Sequence, residues 1–250
     1  MPTFKRRAAD FLETVIGARV VRPDQVSVLY EQEFLSKFLR EFQVDFVLDV
    51  GANAGQYAQM LRRRAGYKGV IVSCEPIPKL ASFLREQAAA DPFWYVEEVA
   101  LSEAAGLSTF NVMERDEFSS LHAPSADQVA ATVQKNRVSR TIQVRLDTAA
   151  SLFAKYKNEV GFTRAYLKMD TQGHDREVVI GAGKWLEEIV GLQSELAIHK
   201  LYDGSPRYDE ALADYTARGF ALSALFPNNA GNFPDMLEMD CVMYRRSFVG

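Results

Sequence analysis

Three carboxylates, Asp49, Glu75 and Asp170, each stand at or one residue before the end of a short apolar run, and each run gives way to a turn or a proline. Acids placed at strand ends beside a glycine turn can hold a cation by charge and a diol by accepting its hydroxyl hydrogen bonds. The first acid begins Asp49-Val-Gly-Ala-Asn-Ala-Gly55. Gly51 permits a sharp turn there, and Gly55 is expected to let backbone approach a ligand. Asp49 suits an ammonium group, directly or through water, while Glu75 suits both hydroxyls of a ribose. Asn53 and Gln56 stand where a dinucleotide G-x-G-x-x-G fingerprint needs its second and third glycines, and Asp49 would repel a pyrophosphate. S-adenosylmethionine carries a sulfonium and an ammonium but no phosphate, so the acidic loop suits it better. The loop alone also reads as an ordinary strand-to-helix turn, and Glu75 fits the ribose of either ligand.

The elements that must position these groups follow from periodicity. Phe46–Val50, Val70–Glu75 and Ala165–Asp170 are buried strands, each followed by a helical pattern, and Phe93–Leu101 is expected as one further strand. A helix over Val28–Phe42 precedes them, able to roof a pocket or simply to pack on a sheet edge. Strands at Thr109–Met113 and Thr141–Arg145 and a helix over Ala149–Tyr156 lie between, and Val190–Ile198, a helix over Arg207–Arg218, and a terminal pair at Phe220–Phe226 and Met239–Tyr244 complete the pattern. The alternation predicts an α/β, doubly wound, mostly parallel sheet. Its domain spans residues 46–250, with an N-terminal helical extension over 1–45 and a lid insertion at about 103–140.

In order, Asp49–Gly55, Glu75-Pro76, Ala100-Leu101-Ser102, Ser119-Ser120-Leu121, Leu146-Asp147 and Lys168-Met-Asp-Thr-Gln-Gly173 resemble the motifs of the FkbM family of methyltransferases. The resemblance runs from about Phe46 to Phe226. It implies the class I (Rossmann-like) methyltransferase fold, with an antiparallel last strand, and S-adenosylmethionine-dependent O-methylation of a sugar or small-molecule hydroxyl. Carried over, Asp49, Gly51, Asn53, Gly55 and Tyr57 would line the methionine and ribose end, and Glu75 would hold the ribose. Ala100 and Leu101 would flank the adenine, and Ser119 and Ser120 would touch the cofactor or its lid. Gln172 and His174 stand where family members often carry acids, which leaves the acceptor side open.

An alcohol acceptor must lose its proton, and a histidine or carboxylate can take it. His122, His174 and His199 all fall at expected loop or strand ends. His199 and His174 rank equally as base, and each equally reads as a structural hydrogen-bonding residue. Asp170 and Glu195, on adjacent strand ends, could instead hold Mg²⁺ that lowers the hydroxyl pKa, although Asp170 can also simply position the cofactor. A non-catalytic adenosine-ligand-binding protein and an NAD-dependent oxidoreductase are the competing functions.

Composition bounds the rest. The 250 residues carry 29 Lys+Arg against 33 Asp+Glu, a formal charge of -4 that lacks the basic footprint of a nucleic-acid binder. Lys135, Arg137 and Arg140 read as a solvated face. Cys74 and Cys241 are too few for a disulfide framework, and no run approaches a membrane span. A cytoplasmic location is expected, with no nucleic-acid or membrane partner. The apolar N-terminal helix or the late strands could support a homo-oligomer.

Overall fold

The computed structural model describes residues 26–126, 133–227 and 234–249. The basic N-terminus and the rest of the extension up to residue 25 lie outside these, as do residues 127–132 of the expected lid. Helix α1 (Val26–Glu41) leads into β1 (Phe46–Val50), α2 (Gln56–Arg63), β2 (Val70–Cys74), α3 (Pro78–Ala88) and β3 (Trp94–Glu97). After β4 (Ala100–Leu101), β5 (Gly106–Met113) and β6 (Val138–Asp147) come α4 (Ala149–Val160), β7 (Ala165–Met169), α5 (Asp175–Ala182) and β8 (Ile189–Ala197). Helix α6 (Tyr208–Ala217) and strands β9 (Phe220–Pro227) and β10 (Glu238–Arg245) finish the order.

Seven strands form one sheet in the order β3-β2-β1-β7-β8-β10-β9. All run parallel except β10, which pairs antiparallel with both β8 and β9. This is the expected class I architecture. Successive strand residues face opposite sides, so β1 divides its side chains between two cores. Phe46, Leu48 and Val50 pack with α4, α5 and α6, while Val47 packs with α1, α2 and α3. Helix α1 is seated by aromatic contacts: Tyr30 and Phe34 lie 5.5 Å from Phe226, and Phe38 lies 5.4 Å from Tyr166. Such tilted pairs add about 0.5–1.5 kcal/mol each beyond area burial.

Two expectations change. The run Phe93–Leu101 is not one strand, because the chain leaves the large sheet after Glu97 and enters a second, three-stranded sheet ordered β4-β6-β5 at Ala100. The strands expected at Thr109–Met113 and Thr141–Arg145 fall within β5 and β6, but they supply the rest of that sheet instead of flanking a lid: β5 pairs antiparallel with β6 from Gly106↔Leu146 to Met113↔Val138. Its inner face buries Phe110, Val112 and Val144 with Ile77 and Ala100, which gives the insertion a small apolar core of its own.

Candidate active site

The strand order reverses direction between β1 and β7, where a crevice opens at the carboxyl ends of a doubly wound sheet. A cavity of about 480 Å³ occupies that place, within the usual range for a small-ligand site. The β1–α2 loop, Glu75, the small sheet and helix α1 form its walls.

The loop explains which ligand the cavity can take. Gly51 has φ +75°, and a Cβ there would lie 1.9 Å from the Asp170 carbonyl oxygen, so only glycine lets the first and fourth parallel strands end this close together. All amides from 51 to 55 are already committed. Gly51 and Ala52 donate to the Cys74 carbonyl, Gly55 donates to the Ala52 carbonyl, and Ala54 donates to the Asn53 side-chain oxygen. Asn53 donates its backbone N–H to Glu75 Oε2 at 2.8 Å. A pyrophosphate therefore finds no free amide in this loop, and it meets a carboxylate. Gly55 does not face the cavity; a Cβ there would strike Leu84 at 2.7 Å, so its role is helix packing rather than ligand approach.

Glu75 accepts a second backbone hydrogen bond from Ile77, also at 2.8 Å, and is 4% exposed. Burial pushes its carboxyl up to about 7 against the pull of those two amides. Its oxygens keep lone pairs on the cavity wall for two hydroxyl donors. Ala100, Leu101, Phe110 and Leu121 line the same end and offer an apolar slot for a base. Ser119 also lines it, while Ser120 is fully buried and donates to the Gln172 carbonyl at 2.7 Å, supporting the wall from behind.

The opposite end is polar. Ser73, Asp49, Lys168 and Gln193 occupy one register row across β2, β1, β7 and β8. Asp49 is fully buried and does not meet the cavity. Its Oδ2 accepts from Ser73 at 3.0 Å, and its Oδ1 lies 3.3 Å from Lys168 Nζ. The charge expected to meet an ammonium group is thus answered within the protein. Lys168 also lies 3.5 Å from Asp170 Oδ2, and these acids raise its pKa despite burial. Tyr57 donates to Gln193 at 2.9 Å, and Gln193 donates to Glu31 of α1 at 2.8 Å. Lys168, Asp170, Gln193, Glu31 and Asp240 all line this end. Burial raises the carboxyls of Glu31 and Asp240, the latter further through the nearby Glu31 charge. Glu31, Gln193 and Asp240 escaped the sequence reading; the available signal was a polar residue inside an otherwise apolar strand pattern at Gln193 and Asp240.

The expected bases separate. His199 is exposed and lies outside the cavity. His174 reaches the wall, but both ring nitrogens are engaged, Nε2 with Ser102 Oγ at 2.9 Å and Nδ1 with His122 Nε2 at 3.0 Å. Burial and the neighbouring His122 hold its pKa down to about 4. The suggested Mg²⁺ pair is also altered: Gln172 Nε2 donates to Asp170 Oδ1 at 2.8 Å and to Glu195 Oε2 at 2.7 Å, filling the space between the two acids. Glu195 lies under that amide and does not line the cavity.

The donor set therefore fits a nucleoside with no phosphate and a cationic tail, as in S-adenosylmethionine. Glu75 would take the ribose, the apolar slot the adenine, and Asp170 the positive end. No helix among the described residues is long and apolar enough to cross a membrane.

No curated protein matches the chain. Among solved structures, the methyltransferase FkbM from Methylobacillus flagellatus KT is 12% identical at a TM-score of 0.49, over 94% of this chain and 60% of that one. The O-methyltransferase from Bacillus cereus, in complex with S-adenosylhomocysteine, is 10% identical at 0.48, over 96% and 97% of the two chains. The magnesium protoporphyrin IX methyltransferase from Synechocystis PCC 6803 is 9% identical at 0.45, over 98% of each. The family model of the methyltransferase FkbM domain matches residues 49–204, more than half of the chain.

Proposed function

The chain belongs to the FkbM family of S-adenosylmethionine-dependent methyltransferases, and from that premise we propose that it methylates a hydroxyl of a small-molecule or sugar acceptor held beneath α1. The observation that carries the cofactor side is the committed loop: its amides are spent, and one of them fixes Glu75 at the cavity wall. The acceptor side is supported by Glu31 and Asp240, two carboxyls of raised proton affinity at the far end of the same cavity.

S-adenosylmethionine supplies an already activated methyl carbon, so the protein has to align an oxygen and take its proton. Glu75 and the apolar slot bind the nucleoside and fix its direction. Lys168 and Gln193 hold the polar floor rigid through Asp49 and Tyr57. Glu31 takes the proton from the acceptor hydroxyl, because its raised pKa brings it closer to the range in which a carboxylate is an effective base. Asp240 lines the same end, and burial with the nearby Glu31 charge favours its neutral acid, which can donate a hydrogen bond to the acceptor.

Calorimetry with S-adenosylhomocysteine and NAD in parallel tests the cofactor assignment. The former binds and NAD does not; the reverse result overturns it. A radiolabelled methyl donor offered with a panel of sugars and hydroxylated small molecules tests the acceptor. Product carrying the label on nitrogen or carbon, or no product at all, defeats the O-methyl reading.

A further inference from the structure

Outside the proposed reaction, one cluster of side chains has the composition of a metal site. His174 caps the start of α5 and Glu177 lies one turn on, so both face the same side of the helix. His122 approaches them from the loop after Ser119–Leu121. His122 Nε2 lies 3.0 Å from His174 Nδ1, and Glu177 Oε2 lies 3.6 Å from that same nitrogen. The three ligand atoms all fall within 4.8 Å of one another. For a tetrahedral ion with bonds of about 2.0–2.1 Å, neighbouring ligand atoms sit about 3.4 Å apart.

Two independent details point to a ligand here. Glu177 Oε2 is buried and accepts no hydrogen bond, an arrangement unfavourable for a charged group unless another species answers it. The far nitrogen of His174, Nε2, is held by Ser102 Oγ at 2.9 Å. A ligating histidine is oriented by such a bond on its other nitrogen. We propose that His122, His174 and Glu177 bind a divalent transition-metal ion, Zn²⁺ foremost, with a fourth position left to solvent. Two imidazoles and one carboxylate are the donor types of Zn²⁺ and disfavour Mg²⁺ or Ca²⁺.

The ion would join the loop that carries Ser119 and Leu121 to the start of α5, and so fasten one wall of the nucleoside end. The inference does not depend on methyl transfer. The test is therefore run without S-adenosylmethionine, on tag-free full-length protein stripped with chelator. Titration with Co²⁺ reports coordination through its visible d–d bands, and Zn²⁺ is added in competition. The wild type is expected to take up one Co²⁺ per chain with tetrahedral bands that Zn²⁺ abolishes. His122→Ala and Glu177→Gln remove those bands while circular dichroism and S-adenosylhomocysteine binding show a folded chain. Ser102→Ala weakens uptake on the order of 10–100-fold. Absence of saturable uptake by the wild type overturns the proposal and leaves a hydrogen-bonded imidazole pair. Unchanged bands in folded His122→Ala also overturn it.

Discussion

The backbone N–H of Asn53 donates to Glu75 Oε2 at 2.8 Å, so the turn after the first strand and the acid after the second are one unit. Here the turn holds the acid in place, and the acid occupies the position from which the turn would otherwise bind phosphate.

Glu75→Gln is expected to weaken S-adenosylhomocysteine binding by roughly 10–100-fold, the equivalent of about 1.5–3 kcal/mol for hydrogen bonds to a charged acceptor. Calorimetry at pH 8 reads this directly, and an affinity of the variant within a few-fold of wild type would count against Glu75 as the ribose acceptor.

The raised Glu75 pKa gives opposite pH trends for binding and stability. The ionised carboxylate is the better hydroxyl acceptor, so wild-type affinity falls as pH drops through about 7. In the ligand-free protein the folded state holds this proton more tightly than the unfolded chain, whose value is near 4.5. Its contribution to stability therefore declines as pH rises from about 4.5 to about 7. Glu75→Gln gives up one of the two backbone N–H contacts at every pH, so the linkage is read from the trend: in ligand-free protein its melting temperature relative to wild type should rise between pH 5 and pH 8. Equal differences at both pH values would count against burial as the cause.

Lys168→Met leaves Asp49 buried beside a missing cation and should cost about 3–5 kcal/mol, seen as a lower urea midpoint. The double variant Lys168→Met/Asp49→Asn should recover a large part of that loss. Additive losses would show that the two charges do not support each other.

Glu31→Gln is expected to lower kcat on the order of 10²–10⁴-fold with S-adenosylhomocysteine affinity changed only a few-fold. His199→Ala, exposed and outside the cavity, should leave kcat unaltered. A loss in His199→Ala with no loss in Glu31→Gln would reverse the assignment of the base.

Gly51→Ala combines a left-handed backbone, worth about 1–2 kcal/mol against an L-residue, with a collision against the Asp170 carbonyl. Denaturant melts should show a loss beyond that backbone figure. A midpoint equal to wild type would mean that β1 and β7 can part at this point.

The parallel strands were legible because Phe46–Val50, Val70–Cys74 and Ala165–Met169 are short, mostly apolar runs with turn signals or a proline after them. The small sheet was legible only as separate strands at Thr109–Met113 and Thr141–Arg145, not as a sheet of its own. Strand β6 exposes most of its side chains, so it has little hydrophobic pattern to read, and the switch between sheets after Glu97 depends on pairing partners more than 40 residues later. Glu75, Gly51 and Asp170 were legible because the local motif states the geometry. Glu31, Gln193 and Asp240 come from three separate elements and become neighbours only when α1 lies across β8 and β10. His199 shares a strand end with the site, yet strand position does not determine which way the side chain turns, and here it faces solvent.

Strand β10 slots between β8 and β9, so β9 has no place in the sheet until Glu238–Arg245 has been synthesised. A nascent chain on the ribosome must keep the β8 edge unpaired until that moment, and an unpaired edge is a template for wrong partners. Because Asp240 arrives on the same strand, the chain covers the β8 edge and completes the cavity wall in one event.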